Sequence, residues 1–143
     1  MNWPADFGVT KEPRLGPSYG QRAAYLSYIT AFNNGDLELF PLFYHPEIVV
    51  SIPGKGELKG REGVQGFYKS LFQTVRETIT IHRLIADKDG MCVDITSEFT
   101  AVADAPNFHI QALKKGESVT KHSVVMYELK DGLIYRVQIT RKS

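Results

Sequence analysis

Tyr28-Ile29-Thr30-Ala31-Phe32-Asn33-Asn34-Gly35-Asp36 decides how this chain is read. Upstream, Ala24, Tyr25, Tyr28, Ala31 and Phe32 recur at i, i+3/4 and i+7/8, the apolar stripe of an amphipathic helix. Gly35 supplies the left-handed residue that stops it, and Asp36 opens a second, short helix made irregular by Pro41, which lacks an N–H. Tyr28 lies on the apolar side, so its phenol looks inward. At the far end, Met126–Leu129 and Leu133-Ile134 flank Lys130-Asp131-Gly132, a strand, a tight turn and a strand. Helices first and sheet last, with an inward tyrosine, imply a cupped pocket.

Between these ends the pattern changes from helix to sheet. Residues 1–17, rich in Pro and Gly, read as an irregular arm preceding one domain over 18–143, and Ser18-Tyr19-Gly20-Gln21 fits a capping box. Ile48–Ile52 is β-branched and short, a strand; Pro53–Gly56 is a turn. Val64, Phe67, Tyr68, Leu71, Phe72 and Val75 mark the longest amphipathic helix. Strands over 78–86 and 91–101 meet through Asp87-Lys88-Asp89-Gly90, and strands over 118–129 and 133–140 through the Asp131-Gly132 turn. The connection over 103–117 is long and reads as a lid or strand extension over a pocket. The fold class is α+β: three N-terminal helices packed as a cone on a strongly curved, mostly antiparallel sheet.

Composition narrows the function. The chain has 143 residues, 43% hydrophobic and 23% charged, with net charge +1 from 17 basic and 16 acidic residues. That balance suits a soluble globular protein, and no basic block of the kind that grips phosphate backbones appears, which argues against nucleic-acid binding. No apolar run reads as a signal or membrane span. The single cysteine, Cys92, excludes an internal disulfide and fits a reducing cytoplasm. His45, His82, His109 and His122 lack metal-site spacing, and no phosphate loop or nucleophile elbow is present. Any enzyme here is expected to work without cofactor or metal.

The order of elements, the Tyr-(x)4-Asn-x-Gly-Asp run, Leu42–Val49, Leu58–Val64 and the terminal Asp-Gly hairpin together resemble the nuclear-transport-factor-2-like superfamily over residues 18–141. That superfamily includes the polyketide-cyclase-like (SnoaL-like) proteins, ketosteroid isomerases, scytalone dehydratases and lyases of lignin-derived diarylpropanes, beside members that only bind a ligand or a protein. The resemblance puts Tyr28 where the isomerases hold their oxyanion-binding tyrosine. Their base falls at about Ser51 and their acid at about Val125, residues unable to do those jobs, so isomerisation of that type is disfavoured. Against the scytalone dehydratases, one catalytic histidine falls at His82, a second is missing near Ile95, and two polar pocket residues fall at Lys121 and Ser123.

Strand parity extends the candidate set. On the penultimate strand Lys121, Ser123, Val125 and Tyr127 should face the cup. On the last, the family pattern turns Ile134 inward and would bring Arg136, Gln138 and Thr140 with it, leaving Val137 and Ile139 outside for a homodimer through the outer sheet face. His82 lies on a strand with two rather apolar faces, so its direction stays open, while Asp94 and Glu98 should look away. The catalytic set is Tyr28, His82, Lys121 and Arg136; Ser51, Tyr68, Phe72, Phe99, Ser123 and Gln138 are substrate-binding candidates, and the aromatic ones equally suit a core. His45 reads as structural, and His109 reaches the mouth if the long loop folds over it.

These residues imply a cofactor-independent lyase acting by acid–base chemistry on a hydroxylated aromatic or polycyclic small molecule, such as a lignin-derived diarylpropane diol. Three other readings stand beside it: a non-catalytic domain holding a small hydrophobic ligand, a polyketide cyclase or isomerase, and an interaction module pairing through its outer sheet.

Overall fold

The computed structural model describes residues 18–142; the arm expected over 1–17 and the side chains of the Ser18–Gln21 cap lie outside what is described. The first helix, α1, spans Ser18–Asn33, and its stripe is buried as the spacing requires, Tyr25 completely and Phe32 to 2% exposure. Gly35 takes φ +67°, and its N–H bonds back to the Phe32 carbonyl at 2.9 Å. The expected second helix is corrected: Asp36 caps a turn through its Oδ1, which accepts from Leu39 N at 3.1 Å, and only a 3-10 turn, Phe40–Phe43, follows. Pro41 withholds a donor there, and Tyr44 is already extended. Two α-helices therefore cover the sheet, not three, the second being α2, Arg61–Leu71.

The sheet has six strands: β1 (Tyr44–Ile52), β2 (Gly56–Lys59), β3 (Val75–Ala86), β4 (Gly90–Ala101), β5 (Ser118–Lys130) and β6 (Leu133–Arg141). Their spatial order is β2-β1-β6-β5-β4-β3, antiparallel throughout except for the parallel β1–β6 pair. The sequence marks only the Pro53–Gly56 turn where β2 begins, and β3 starts three residues before the expected Thr78. The β5–β6 turn puts Asp131 at φ 56° and Gly132 at φ 75°, the doubly left-handed geometry that short hairpins need.

β3 is an edge strand, and α1 covers its open backbone. Asn33 donates from Nδ2 to the Ile79 carbonyl at 2.9 Å and accepts the Ile79 N–H at 2.8 Å, while Arg22 donates to the Leu84 carbonyl at 2.9 Å. Those bonds satisfy donors and acceptors that an unpaired edge would expose. Arg61 of α2 likewise holds the Tyr44 carbonyl. The two helices are thus pinned near opposite edges of one face of the sheet, α1 at β3 and α2 at β1, and the main core lies between them and that concave face.

Two irregularities in the ladder decide which residues face that core. Between β3 and β4, Ile81 pairs Ile95 but Arg83 pairs Asp94, so His82 is an extra residue. Between β5 and β6, Leu129 pairs Ile134 but Glu128 pairs Arg136, so Tyr135 is extra. Each bulge resets the alternation by one residue. Ile134 is buried as expected, but beyond Tyr135 it is Val137, Ile139 and Arg141 that turn inward. The expectation that Val137 and Ile139 lie on the outer face is therefore corrected.

Candidate functional site

The concave face encloses a cavity walled by Tyr28 and Phe32 of α1, Phe67, Tyr68 and Leu71 of α2, and inward residues of five strands. About 50 Å³ of it is open to the centre of a water molecule, within about 650 Å³ of atom-free space that runs out into solvent. Its walls are mainly apolar: Val50, Ile52, Ile79, Ile95, Val125, Val137 and Ile139. The long connection contributes His109, held there by a small second core in which Phe108 packs on Phe99 with ring centres 5.3 Å apart.

At the inner end four phenols meet in two pairs. The hydroxyls of Tyr28 and Tyr44 share a hydrogen bond of 2.7 Å, those of Tyr25 and Tyr127 one of 2.9 Å, and the Tyr25 and Tyr28 rings lie 5.8 Å apart. Burial is the first cause raising the pKa of all four above the ordinary phenol value. These groups stay neutral at working pH and act as hydrogen-bond donors, not as bases. A hydroxyl carries one hydrogen, so each pair uses one and retains a second for a ligand oxygen.

The same wall carries a group of opposite character. Glu77 of β3 lines the cavity beside Ser97, which hydrogen-bonds its carboxylate. Burial pushes the Glu77 pKa up to about 7, against the Ser97 bond and the attraction of Arg141, which both pull it down. Glu77 keeps an intermediate accessibility, as a residue lining a solvent-connected cavity does; the carboxyl is nevertheless surrounded by protein. Arg141 of β6 donates to Ser123 Oγ at 3.4 Å, and its guanidinium lies 5.8 Å from the centre of the Phe99 ring. Burial draws its pKa down, opposed by Glu77 and Tyr68. Burial also lowers the pKa of His109, helped by the positive charges of Arg141 and Lys55. A carboxyl poised near neutrality, neutral phenols and an apolar wall can together move a proton on and off carbon or a hydroxyl.

Of the residues singled out from sequence, Tyr28, Tyr68, Phe99 and Ser123 stand in this wall. Phe72 packs behind it, 5.8 Å from Phe32 and 5.6 Å from Tyr68. Lys121 has the inward register of Ser123, paired with buried Ser97, but stays partly exposed and does not line the cavity. His82 is corrected. The bulge turns it to the outer face, where it is exposed, bonds Thr96 Oγ1 at 2.5 Å and lies 5.5 Å ring to ring from His122. Arg136 and Gln138 are corrected by the bulge at Tyr135: both are exposed outside, Arg136 with its Nε 3.7 Å from Glu128. Ser51 also faces outward, donating to Glu57 at 3.4 Å, because Val50 and Ile52 take the inward positions of β1.

Asp94 looks away from the cavity as expected, accepting from Lys142 at 3.1 Å, with His122 Nε2 2.8 Å from its Oδ1. His45 accepts the Glu47 N–H at 3.0 Å in a surface strand start. Among the described residues no three His, Cys, Asp or Glu side chains converge as metal ligands would. The residues that sequence reasoning missed are Glu77, Ser97 and Arg141. Counting back by twos from Ile81 through Ile79 reaches Glu77, so an inward register for an acidic residue was available as a signal.

Residues 25–137 match the family model of the SnoaL-like domain, and the chain belongs to that family. Its fold is nuclear-transport-factor-2-like, as the solved structures bear out. A candidate polyketide cyclase from Pseudomonas putida KT2440 superposes with a TM-score of 0.67 at 18% identity, over 80% of this chain and 86% of that one. An LEH-like epoxide hydrolase of M. tuberculosis gives 0.65 at 16% identity, over 80% and 77%. TerC, crystallised with polyporic acid, gives 0.65 at 17% identity, over 82% and 88%. At these identities the likeness is one of fold. No curated protein matches the sequence.

The raised Glu77 pKa has a consequence for stability. Between the ordinary carboxyl value of 4.5 and about 7, the folded protein holds a proton that the unfolded chain releases. Stability from this group is therefore lost as pH rises through that window. Glu77→Gln removes the effect, so the variant should gain on the wild type by roughly 3 kcal/mol between pH 4.5 and 8. Urea unfolding of both proteins across that range measures it, and parallel pH curves would contradict the assignment.

Proposed function

We propose that this protein is a cofactor-free lyase with Glu77 as its proton-transferring group. It would eliminate water from, or break a carbon–carbon bond in, a hydroxylated aromatic or polycyclic small molecule such as a lignin-derived diarylpropane diol. The observation that carries the reading is a carboxyl lining an apolar cavity together with neutral phenols, its pKa pushed up by burial to about 7. A general base works best when its pKa lies near the operating pH.

In the dehydration version, the Glu77 carboxylate takes a proton from the carbon next to the one bearing the hydroxyl. The carbon–oxygen bond breaks as the new double bond forms. The same carboxylic acid then gives its proton to the departing hydroxyl, so water leaves and the carboxylate is restored. Tyr28 and Tyr44 donate the spare hydrogen of their pair to a second substrate oxygen. Low local polarity strengthens that contact. Ring closure of a polyketide also begins with loss of a carbon-bound proton, so the same group serves a cyclase. A second reading, a domain that holds a hydrophobic ligand without turning it over, draws support from the predominantly apolar walls and the mutually bonded phenols.

Turnover of a panel of aromatic diols tests the proposal. Glu77→Gln should lose at least about 100-fold in kcat/KM and Tyr28→Phe about tenfold, with His82→Ala and Arg136→Ala unchanged. The wild-type kcat/KM should rise with pH to a plateau above about 7. Undiminished turnover by Glu77→Gln would remove the assignment. Ligand recovered unchanged by native mass spectrometry, with no turnover, favours the binding reading.

The proposal also seats a second copy on the outer sheet face, where Met126 is 51% exposed beside partly exposed Val124. Sedimentation velocity should find Met126→Glu shifted to monomer. A dimer of unaltered strength would exclude that face.

A further inference from the structure

Arg141 is the cation of the cavity wall, and among the described residues it has no counter-charge in contact. Among the described residues, none of the ion pairs within 4.0 Å involves it. Its hydrogen bond within the protein is the 3.4 Å donation to Ser123 Oγ, a long one. A guanidinium has five N–H donors in a planar fork, so most of them are available to something else. The Phe99 ring beside it, with its centre 5.8 Å away, offers a flat apolar surface next to that fork.

The approach to this group carries one charge of each sign, Lys55 and Asp104. His109, Phe67 and Leu71 are shared between the cavity and a neighbouring hollow of about 310 Å³ that includes Lys55. Lys55 lies 5.6 Å from the Phe67 ring centre. Both Lys55 and Arg141 act on His109. Glu77 faces Arg141 across the wall without pairing to it, and its charge at neutral pH is only partial.

We propose that the substrate is a flat hydroxylated aromatic acid, and that Arg141 is the substrate-binding residue that receives its carboxylate. The proposal rests on the reading of the cavity as a small-molecule site and names the class of molecule it takes. The apolar walls and Phe99 receive the rings, and the phenol pairs receive the hydroxyl.

Isothermal titration with 6-hydroxy-2-naphthoate and its methyl ester at pH 6, where Glu77 is mostly protonated, tests this directly. The pair has the same rings and hydroxyl and differs in charge. Wild type should bind the acid about 10- to 100-fold more tightly than the ester, the range expected for a charge-assisted hydrogen bond. Arg141→Met should bring the two within about threefold, and Arg141→Lys should keep part of the preference. Glu77→Gln should keep or sharpen it while losing turnover, which separates failure of this proposal from failure of the proposed chemistry. Equal wild-type affinities, a preference undiminished in Arg141→Met, or binding of neither probe at millimolar concentration each overturn it. Should Arg141→Met not fold, the wild-type ratio and the Arg141→Lys ratio decide, since a preference equal in both would assign the charge to another residue.

Discussion

A carboxylate is costly to place in an apolar wall, and everything functional in this structure depends on that cost at Glu77. Removing the group from water disfavours its charged form. One hydrogen bond from Ser97 and one cation at a distance, Arg141, recover only part of the loss. The result is an acid whose two protonation states are close in energy near neutral pH. A closer ion pair with Arg141 would hold it ionised, and a hydrogen-bonded polar shell would return it to an ordinary carboxyl. The structure does neither.

The remainder of the fold can be understood as what keeps that environment in place. Asn33 and Arg22 tie α1 along the edge strand that carries Glu77, and Arg61 fixes the start of β1 where Tyr44 meets Tyr28. Four phenols then close the inner end with hydroxyls that satisfy one another, which allows polar groups to sit deep in the core at little cost. Polar function is thus concentrated in two groups within an otherwise greasy chamber. The phenols offer hydrogen bonds from neutral hydroxyls, while Glu77 can exchange protons beside the Arg141 cation.

Much of this architecture was legible in the sequence because it is written in local periodicity. The stripe from Ala24 to Phe32, the stop at Gly35, the run from Val64 to Phe72 and the Asp131-Gly132 turn each depend on residues close together in the chain. Inward Tyr28, Ser123, Val125 and Tyr127 followed from the same alternation. What failed were positions governed by a partner strand. The bulges at His82 and Tyr135 arise from pairing, and no composition signal marks them. Counting by twos through Tyr135 sent Arg136 and Gln138 inward when Val137 and Arg141 take those places. The second helix failed because the pull of Pro41 and extended Tyr44 outweighed a weak local pattern. Glu77 escaped because β3 starts before its β-branched run, where the ladder to Phe99 and Ala101 holds it. Arg141 escaped for the matching reason at the other end of β6.

The measurement closest to the centre of this account is the titration of Glu77 itself. Carboxyl carbon-13 NMR of protein labelled at glutamate, with Glu77→Gln identifying the resonance, follows one group through its ionisation. The account predicts a midpoint near 7, well above the other glutamates. A midpoint near 4.5 would mean that the carboxyl is hydrated like any surface acid, and the chemistry assigned to the cavity would have no group to perform it.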